Sequence, residues 1–331
     1  MSDPPGAVGA ADLQLITIGR VGVDLYPEQI GVRLAKVRTF AKSLGGSPTN
    51  VAVAAARLGH RSAVITKVGD DGFGEYVREA LAGFGVDTRF VGTDPVLRTP
   101  IVFCEIFPPD SFPLLFYRQP KAPDLNIQLQ ELDLDAIARV PILWTSGTAL
   151  SEEPSRTATL GAVRAATGRV VHDLDHRPAF WSSMLAAREQ VARILEHAHV
   201  VVGNVDEVEM ATGTRDPDAA AEALLAMGPE LAIVKQGPRG TLARSTTERV
   251  QVPAVEIAVV NGLGAGDAFG GALVHGLLGG WELRRTLSFA NAAGAIVASR
   301  LACADAMPTA AEVEAILQRD AQRGAGRAAH V

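Results

Sequence analysis

The sequence predicts an α/β protein in which helices form layers on both faces of a mostly parallel central sheet. Short apolar runs alternate with windows of helical periodicity along most of the 331 residues, which is the pattern of strand–helix–strand units. The 33 glycines and 19 prolines often fall in short clusters that are typical of tight turns. Two β-rich segments interrupt the alternation and indicate a small additional sheet.

Six apolar runs are predicted to be strands of the central sheet. They are Leu13–Ile18, Ser62–Val68, Ile142–Thr145, Arg169–Asp173, His199–Val202 and Leu231–Val234. Helical periodicity is found near residues 51–58, 73–84, 155–167, 183–197 and 218–227. Because parallel strands are joined by crossovers that usually contain a helix, this alternation favours a parallel sheet with helices on both faces.

The small sheet is predicted to form a β lid at about residues 25–42 and 97–118. Its strand candidates are Val32–Phe40, Pro100–Phe107 and Leu114–Tyr117. The α/β core is predicted to span residues 13–318. Residues 1–12 and 319–331 are predicted to be flexible tails, the second because it is rich in Gly, Ala and Arg.

Composition and charge exclude several classes of partner. Lys and Arg number 31 against 37 Asp and Glu, and this balance argues against broad binding of nucleic acid or of an anionic membrane. No segment is apolar enough to predict a membrane span. Cys104 and Cys303 lie far apart in sequence, and residues 1–12 lack the features of a signal peptide. We therefore expect a reduced, cytoplasmic protein.

The segment 259–269 carries the strongest chemical signal. Its glycines follow a predicted strand and enter a helix, where free backbone N–H groups and the helix dipole favour an anion. Gly264, Ala265 and Gly266 would let a phosphate approach the backbone closely. Asp267 would stand beside it as a general base for an attacking hydroxyl. The structural alternative is a glycine-rich turn in which Asp267 only favours the helix dipole.

The common nucleotide-binding loops do not fit this segment. A dinucleotide fingerprint that begins at Gly262 would require Gly or Ala at position 267. No lysine of the chain follows a glycine, so a Walker A loop is excluded as well.

A second segment, 45–52, places Gly45 and Gly46 at the mouth of a helix with Asn50 in its first turn. It could admit a hydroxyl-rich ligand, and the alternative is a helix entry with ordinary capping.

These two glycine segments, in this order, resemble the paired signatures of the ribokinase-like sugar kinases of the PfkB family. The resemblance covers nearly the whole chain. It extends to three further strings, which are Asn204–Glu207, Lys235–Gly240 and Ala290–Ala295. Each string is common, but five in family order are difficult to assemble by chance.

The resemblance implies a ribokinase-like fold and transfer of phosphate from ATP, with Asp267 as the base. It implies that Asn204 and Glu207 organise Mg²⁺ through water. It further implies that the nucleotide is bordered by the residues Asn204, Lys235, Gly237, Gly240, Gly264, Gly266 and Asn291. The sugar would be held by Asp24, Gly45, Gly46 and Asn50.

Four other runs resemble a branch of the family that phosphorylates a sugar acid in myo-inositol catabolism. They are residues 19–26, 111–118, 173–178 and 303–309. A sugar acid carries a carboxylate, for which arginine is the suitable bidentate partner. Arg118, Arg177 and Arg20 are the candidates, with Asp175 beside Arg177, although a surface ion pair is the commoner role of an arginine.

The chain departs from the wider family at Asn261 and Gly262, where many members have Asp-Thr next to a monovalent-cation site. A requirement for such a cation therefore stays open. The alternative substrates are 2-dehydro-3-deoxygluconate, fructose and ribose, and an alternative of a different class is a non-catalytic sugar-acid sensor. The resemblance also allows a homodimer that forms through the lid.

Overall fold

The computed structural model describes residues 13–328, which form thirteen strands and ten α-helices within that range. The strands are β1 Leu15–Ile18, β2 Gly22–Pro27, β3 Phe40–Gly45, β4 Ser62–Gly69, β5 Val91–Asp94, β6 Ile101–Cys104, β7 Leu114–Tyr117, β8 Ile142–Ser146, β9 Arg169–Asp173, β10 Val200–Asn204, β11 Leu231–Lys235, β12 Thr241–Ser245 and β13 Arg249–Val252. The helices are α1 Ser47–Arg57, α2 Gly72–Gly83, α3 Leu134–Arg139, α4 Ser155–Ala165, α5 Met184–Leu195, α6 Val205–Thr212, α7 Pro217–Leu225, α8 Ala265–Leu278, α9 Leu283–Ala298 and α10 Ala310–Ala328.

Nine strands form the central sheet in the order β13-β12-β11-β10-β9-β8-β1-β4-β5. The strands from β11 to β5 pair in parallel, whereas β12 and β13 add an antiparallel edge. Helices α1, α2, α8, α9 and α10 contribute to the apolar core on one face, and α3–α7 contribute to the core on the other. The predicted three-layer fold is confirmed, and each of the six predicted strands overlaps an observed strand of this sheet.

The interior strand β1 shows why its sequence is mostly apolar. Leu15 packs in the core of one face, whereas Ile16 and Ile18 pack in the core of the other. Successive side chains of a strand point to opposite faces, so a strand covered on both sides carries apolar residues on both of them, and only Thr17 is polar in β1.

A second, four-stranded sheet forms the lid in the order β3-β2-β6-β7. The predicted strand Val32–Phe40 is wrong, because residues 28–39 connect β2 to β3 and contain only a short 3₁₀ turn at Leu34–Lys36. The antiparallel register of β2 and β3 runs from Gly22 opposite Gly45 to Pro27 opposite Phe40. The alternating sequence of the connection therefore has no neighbouring strand with which to pair.

Two further boundaries differ from the sequence prediction. A strand is expected before the glycine loop, but residues 253–259 lie outside any strand. Helix α10 continues to Ala328, so residues 319–328 are helical, while the predicted N-terminal tail 1–12 lies outside the described residues. Among the helices that the structure describes, none combines the length and apolarity needed to cross a bilayer.

Candidate active site

The candidate site lies where β1, β8, β9, β10 and β11 end and where α1 and α8 begin. In an open parallel sheet this edge collects the loops that follow every strand, so residues distant in sequence meet there. The lid covers the same edge, since a Cβ added to Gly262 would lie 2.9 Å from Cε2 of Phe112 in the lid turn.

The N-terminus of α8 has the geometry of an anion site. Gly264 caps the helix with a φ of 80°, a left-handed conformation that glycine adopts without strain. The N–H of Asp267 donates to the Gly264 carbonyl at 3.1 Å. Within residues 13–328, no acceptor engages the amides of Ala265 and Gly266. These two N–H groups are therefore available to a phosphate.

Asp267 lies in the first turn of α8, beside the start of α1. Its Oδ2 accepts a hydrogen bond from Asn50 Nδ2 at 2.8 Å. Burial raises the pKa of Asp267, while hydrogen bonds from Asn50 and Ser47 oppose the shift and the charge of Asp175 adds to it. A carboxylate with a raised pKa is a better proton acceptor, which suits a general base.

A second carboxylate, Asp24 in β2, lies close enough to Asp267 for the charge of Asp267 to act on it. Burial raises its pKa to about 7, although Arg20 and a hydrogen bond from Tyr26 Oη at 3.2 Å favour the charged form. Gly45 makes room for it, because a Cβ at that position would collide with the Asp24 carboxylate. Gly46 has a φ of 103° and packs its backbone against Arg20.

Asp175 forms ion pairs with two of the three arginines that were predicted to bind a carboxylate. Its carboxylate pairs with Arg20 at 3.4 Å and Arg177 at 3.0 Å, and it accepts a hydrogen bond from Thr148 at 3.0 Å. Burial raises the pKa of Asp175, but the guanidinium groups of Arg177 and Arg20 lower it by more. The pKa of Asp175 therefore lies below its usual range. The buried Nε atoms of Arg20 and Arg177 have no partner among the side chains and backbone groups that the structure describes. Both arginines therefore keep donors for a ligand.

Arg118 is differently placed from the other two arginines. It forms a buried ion pair with Asp124, and its guanidinium lies over the ring of Phe180 at 5.2 Å. Asp124 also accepts a hydrogen bond from the Val21 amide at 3.1 Å, so this pair connects the end of the lid to the segment after β1. These contacts give Arg118 a structural role that its sequence position did not indicate.

The Asn204–Glu207 segment forms a reciprocal cap at the start of α6. Asn204 Oδ1 accepts from the amides of Asp206 and Glu207 at 2.9 and 3.0 Å, and Glu207 Oε2 accepts from the Asn204 amide at 2.7 Å. Among the described residues, no group of three His, Cys, Asp or Glu could hold a metal ion. The oxygen donors fit Mg²⁺ that completes its shell with water and phosphate oxygens.

On the predicted nucleotide side, glycines shape the turn after β11. A Cβ on Gly240 would collide with the Val252 carbonyl, and Gly237 and Gly240 have φ values of 57° and 83°. The side chain of Asn291 accepts a hydrogen bond from Thr241 Oγ1 at 2.7 Å and donates to the Pro253 carbonyl at 2.9 Å. Asn291 of α9 therefore connects the start of β12 to the chain that follows β13.

Sequence reasoning gave no role to several residues that contact the site, although Tyr26 and Cys303 lie in runs that the resemblance includes. Ser47 bonds to Asp267, Thr148 bonds to Asp175, and Tyr26 contacts Cys303 Sγ at 2.7 Å. Tyr26 could have been found from the alternation of β2, because it lies two positions after Asp24 on the same face. Thr148 and Cys303 have no local signal of that kind.

The comparisons with known proteins agree with this geometry. The model of the pfkB family of carbohydrate kinases matches residues 12–310, and the chain belongs to this family. It is therefore an ATP-dependent carbohydrate kinase. Among individual proteins, the 5-dehydro-2-deoxygluconokinase of Shouchella clausii is 33% identical over 311 residues, which cover 92% of this chain and 95% of that protein.

Solved structures extend the similarity to the fold. A candidate ribokinase II from E. coli, in complex with ATP and Mg²⁺, has a TM-score of 0.84 and 25% identity, with 93% of this chain and 99% of that chain covered. A fructokinase from Vibrio cholerae, bound to fructose, ADP and calcium, has a TM-score of 0.82 and 28% identity, with the same coverage.

Proposed function

We propose that the chain phosphorylates the C6 hydroxyl of 5-dehydro-2-deoxy-D-gluconate with ATP, as a cytoplasmic step of myo-inositol catabolism. The observation that carries the proposal is the position of Asp267 beside the free amides of α8, where the charges of Asp175 and of its partner Arg20 act on it. A base and an anion site serve any sugar kinase, whereas the arginines favour a sugar that carries a carboxylate. The name of the Shouchella clausii relative agrees with this substrate.

The residues divide the chemistry between them. Asp24, Asn50, Gly45 and Gly46 hold the sugar, and Asp267 accepts the proton of the attacking hydroxyl. The amides of α8 stabilise charge on the transferring phosphoryl group, which is the electrostatic contribution that phosphoryl transfer requires. Mg²⁺, held through water by the residues at the start of α6, neutralises the β- and γ-phosphate oxygens. The lid excludes water that would otherwise hydrolyse ATP.

The substrate is tested by measuring ADP formation with a panel of sugars. Initial rates are compared for 5-dehydro-2-deoxygluconate, 2-dehydro-3-deoxygluconate, fructose and ribose. The proposal expects the highest kcat/KM for the first. Preference for 2-dehydro-3-deoxygluconate would keep the carboxylate argument but change the substrate, and preference for a neutral sugar would contradict both. Sugar binding without ADP formation would instead indicate a non-catalytic sensor.

We also propose that the lid pairs two copies of the chain. Strands β3, β6 and β7 carry an aromatic row in which Phe103 of β6 lies 5.3 Å from Phe40 and 5.5 Å from Tyr117. Leu115 and Tyr117 are 46% and 59% exposed, so this face presents apolar surface to solvent. A second lid of the same kind would cover it.

A further inference from the structure

Lys235 and Asp173 lie beside the phosphate-binding start of α8, and the chemistry described above gives neither a role in the reaction. Lys235 is the last residue of β11 and Asp173 is the last residue of β9. Strand β10 pairs in parallel with both and leads directly to Glu207. Parallel strands end at the same edge of a sheet, so the three side chains surround one point next to α8.

The ammonium group of Lys235 is free to bind an anion. Its Nζ lies 3.4 Å from the position that a Cβ on Gly266 would occupy. In the part of the chain that the structure describes, no hydrogen bond or ion pair engages this ammonium. Its three donors therefore face the place where a phosphate bound to the α8 amides would lie.

The surrounding carboxyl groups hold Lys235 in its charged form. Burial alone would lower the pKa of Lys235, but the charges of Asp173, Glu207 and Asp267 outweigh it and raise the pKa. Asp173 is 4% exposed, and burial raises its pKa to about 7 while Lys235 opposes the shift. An acidic edge of this kind would repel phosphate unless a cation stood within it.

We propose that Lys235 is a catalytic residue of the phosphoryl transfer, because its ammonium lies beside the first turn of α8. The inference rests on the proposed kinase function. In the step, the sugar hydroxyl oxygen forms a bond to the γ-phosphorus as the bond to the β,γ-bridging oxygen breaks. The electron pair leaves on ADP and the hydroxyl proton passes to Asp267. Lys235 transfers no proton and binds a non-bridging oxygen of the phosphoryl group that is being transferred.

This role differs from ordinary nucleotide binding. Negative charge spreads over the equatorial oxygens of the transferring phosphoryl group, and a fixed cation beside them stabilises the transition state more than the ground state. Removal of such a group typically lowers kcat by about 10²–10³-fold. ADP lacks the γ-phosphoryl group, so its affinity does not depend on the ammonium.

The test compares Lys235→Met, Lys235→Arg and a charge control, Arg193→Met on the exposed surface of α5, all assayed with the sugar that the wild type phosphorylates best. We expect Lys235→Met to lower kcat about 10²–10³-fold at unchanged ADP affinity, Lys235→Arg to recover part of the rate, and the control to match wild type. An unchanged kcat in Lys235→Met, or equal losses of ATP and ADP affinity at unchanged kcat, would overturn the catalytic role.

Lys235→Gln is the second variant, because it keeps a polar side chain at this position without the charge. An unchanged kcat in Lys235→Gln overturns the catalytic role, also where Lys235→Met fails to fold. A wild type that forms no ADP with any sugar overturns the kinase function as well, whereas an active wild type with an unimpaired Lys235→Met overturns only this inference.

Discussion

Asn50 donates a 2.8 Å hydrogen bond to the carboxylate of Asp267, and this contact joins the first turns of α1 and α8. The two residues are 217 positions apart in the chain. One glycine-rich helix start thus presents the proposed base, and the other presents the amide that orients it. The amide nitrogen is satisfied by this bond, while the buried Asn50 Oδ1 has no partner among the described residues, so we propose that it accepts a hydrogen bond from a sugar hydroxyl.

Replacement of Asp267 separates catalysis from binding. Asp267→Asn keeps the size of the side chain and the amides of α8 but removes the proton acceptor. We expect kcat to fall about 10²–10⁴-fold while ATP affinity is retained. Steady-state kinetics and calorimetric titration with ATP measure the two effects. Turnover close to that of the wild type would rule out Asp267 as the base.

Replacement of Asn50 alters the pH at which the base works. The hydrogen bond from Asn50 lowers the pKa of Asp267 against the effect of burial. Asn50→Ala removes this opposition, so the carboxyl binds its proton more tightly. The acidic limb of the kcat profile should therefore move to higher pH, together with a higher KM for the sugar. A profile that keeps its acidic limb in place would show that the contact does not tune Asp267.

Much of this arrangement could be predicted from local sequence, but not all of it. The buried strands could be predicted because a strand that packs on both faces, like β1, is apolar at most of its positions. Residues 32–39 are also β-rich in sequence, yet they form a connection, since strand formation also requires a partner that the local sequence does not specify.

In the site, too, some residues could be predicted from a short segment of sequence, whereas the contacts between distant segments could not. The glycines and Asp267 are encoded in one short segment and could be located there. The partner of Arg118 depends on how the lid packs against the segment after β1, and the contact of Tyr26 with Cys303 spans 277 positions. Such pairings follow from the packing of distant elements, so residue type and spacing do not reveal them.

The arginine pair on Asp175 should determine the preference for an acidic sugar. Arg177→Met removes a guanidinium whose Nε has no partner among the described residues. A hydrogen bond to a charged group contributes about 1.5–3 kcal/mol, so kcat/KM for the sugar acid should fall about 10–100-fold, with a smaller effect on fructose. Equal losses for acidic and neutral sugars would contradict a role in carboxylate recognition.

Arg118→Met provides the comparison for that experiment. Its partner Asp124 is 1% exposed and would be left as a buried, unpaired charge. The expected result is a loss of stability of about 3–5 kcal/mol, measured by denaturant unfolding, rather than a change in the ratio between acidic and neutral sugars.

Asp24 should make the protein less stable as the pH rises. Its pKa is raised from 3.8 to about 7, so between these values the folded protein binds a proton that the unfolded chain releases. Stability from this residue therefore falls as the pH rises through the window and stays low above it. Asp24→Asn should raise the Tm relative to wild type by more at pH 8 than at pH 4.

The control for Asp24→Asn is Asp110→Asn, at an exposed position in the lid turn. The difference between each variant and the wild type isolates one residue, which matters because burial also raises the pKa of Asp173. A Tm difference for Asp24→Asn that does not grow with pH would contradict the assignment of a buried, costly charge at this position.

The apolar face of the lid should set the oligomeric state. Ile101 pairs with Tyr117 and Phe103 pairs with Leu115 across β6 and β7, so these side chains share one face of the sheet. Burial of a large apolar side chain contributes about 1.5–3 kcal/mol, and two charges placed in this face would oppose its burial. The double variant Leu115→Glu/Tyr117→Glu should therefore sediment as a monomer where the wild type sediments as a dimer. Val96→Glu, an exposed apolar position outside the lid sheet, should leave the dimer intact. A wild type that is monomeric at micromolar concentration would contradict pairing through the lid.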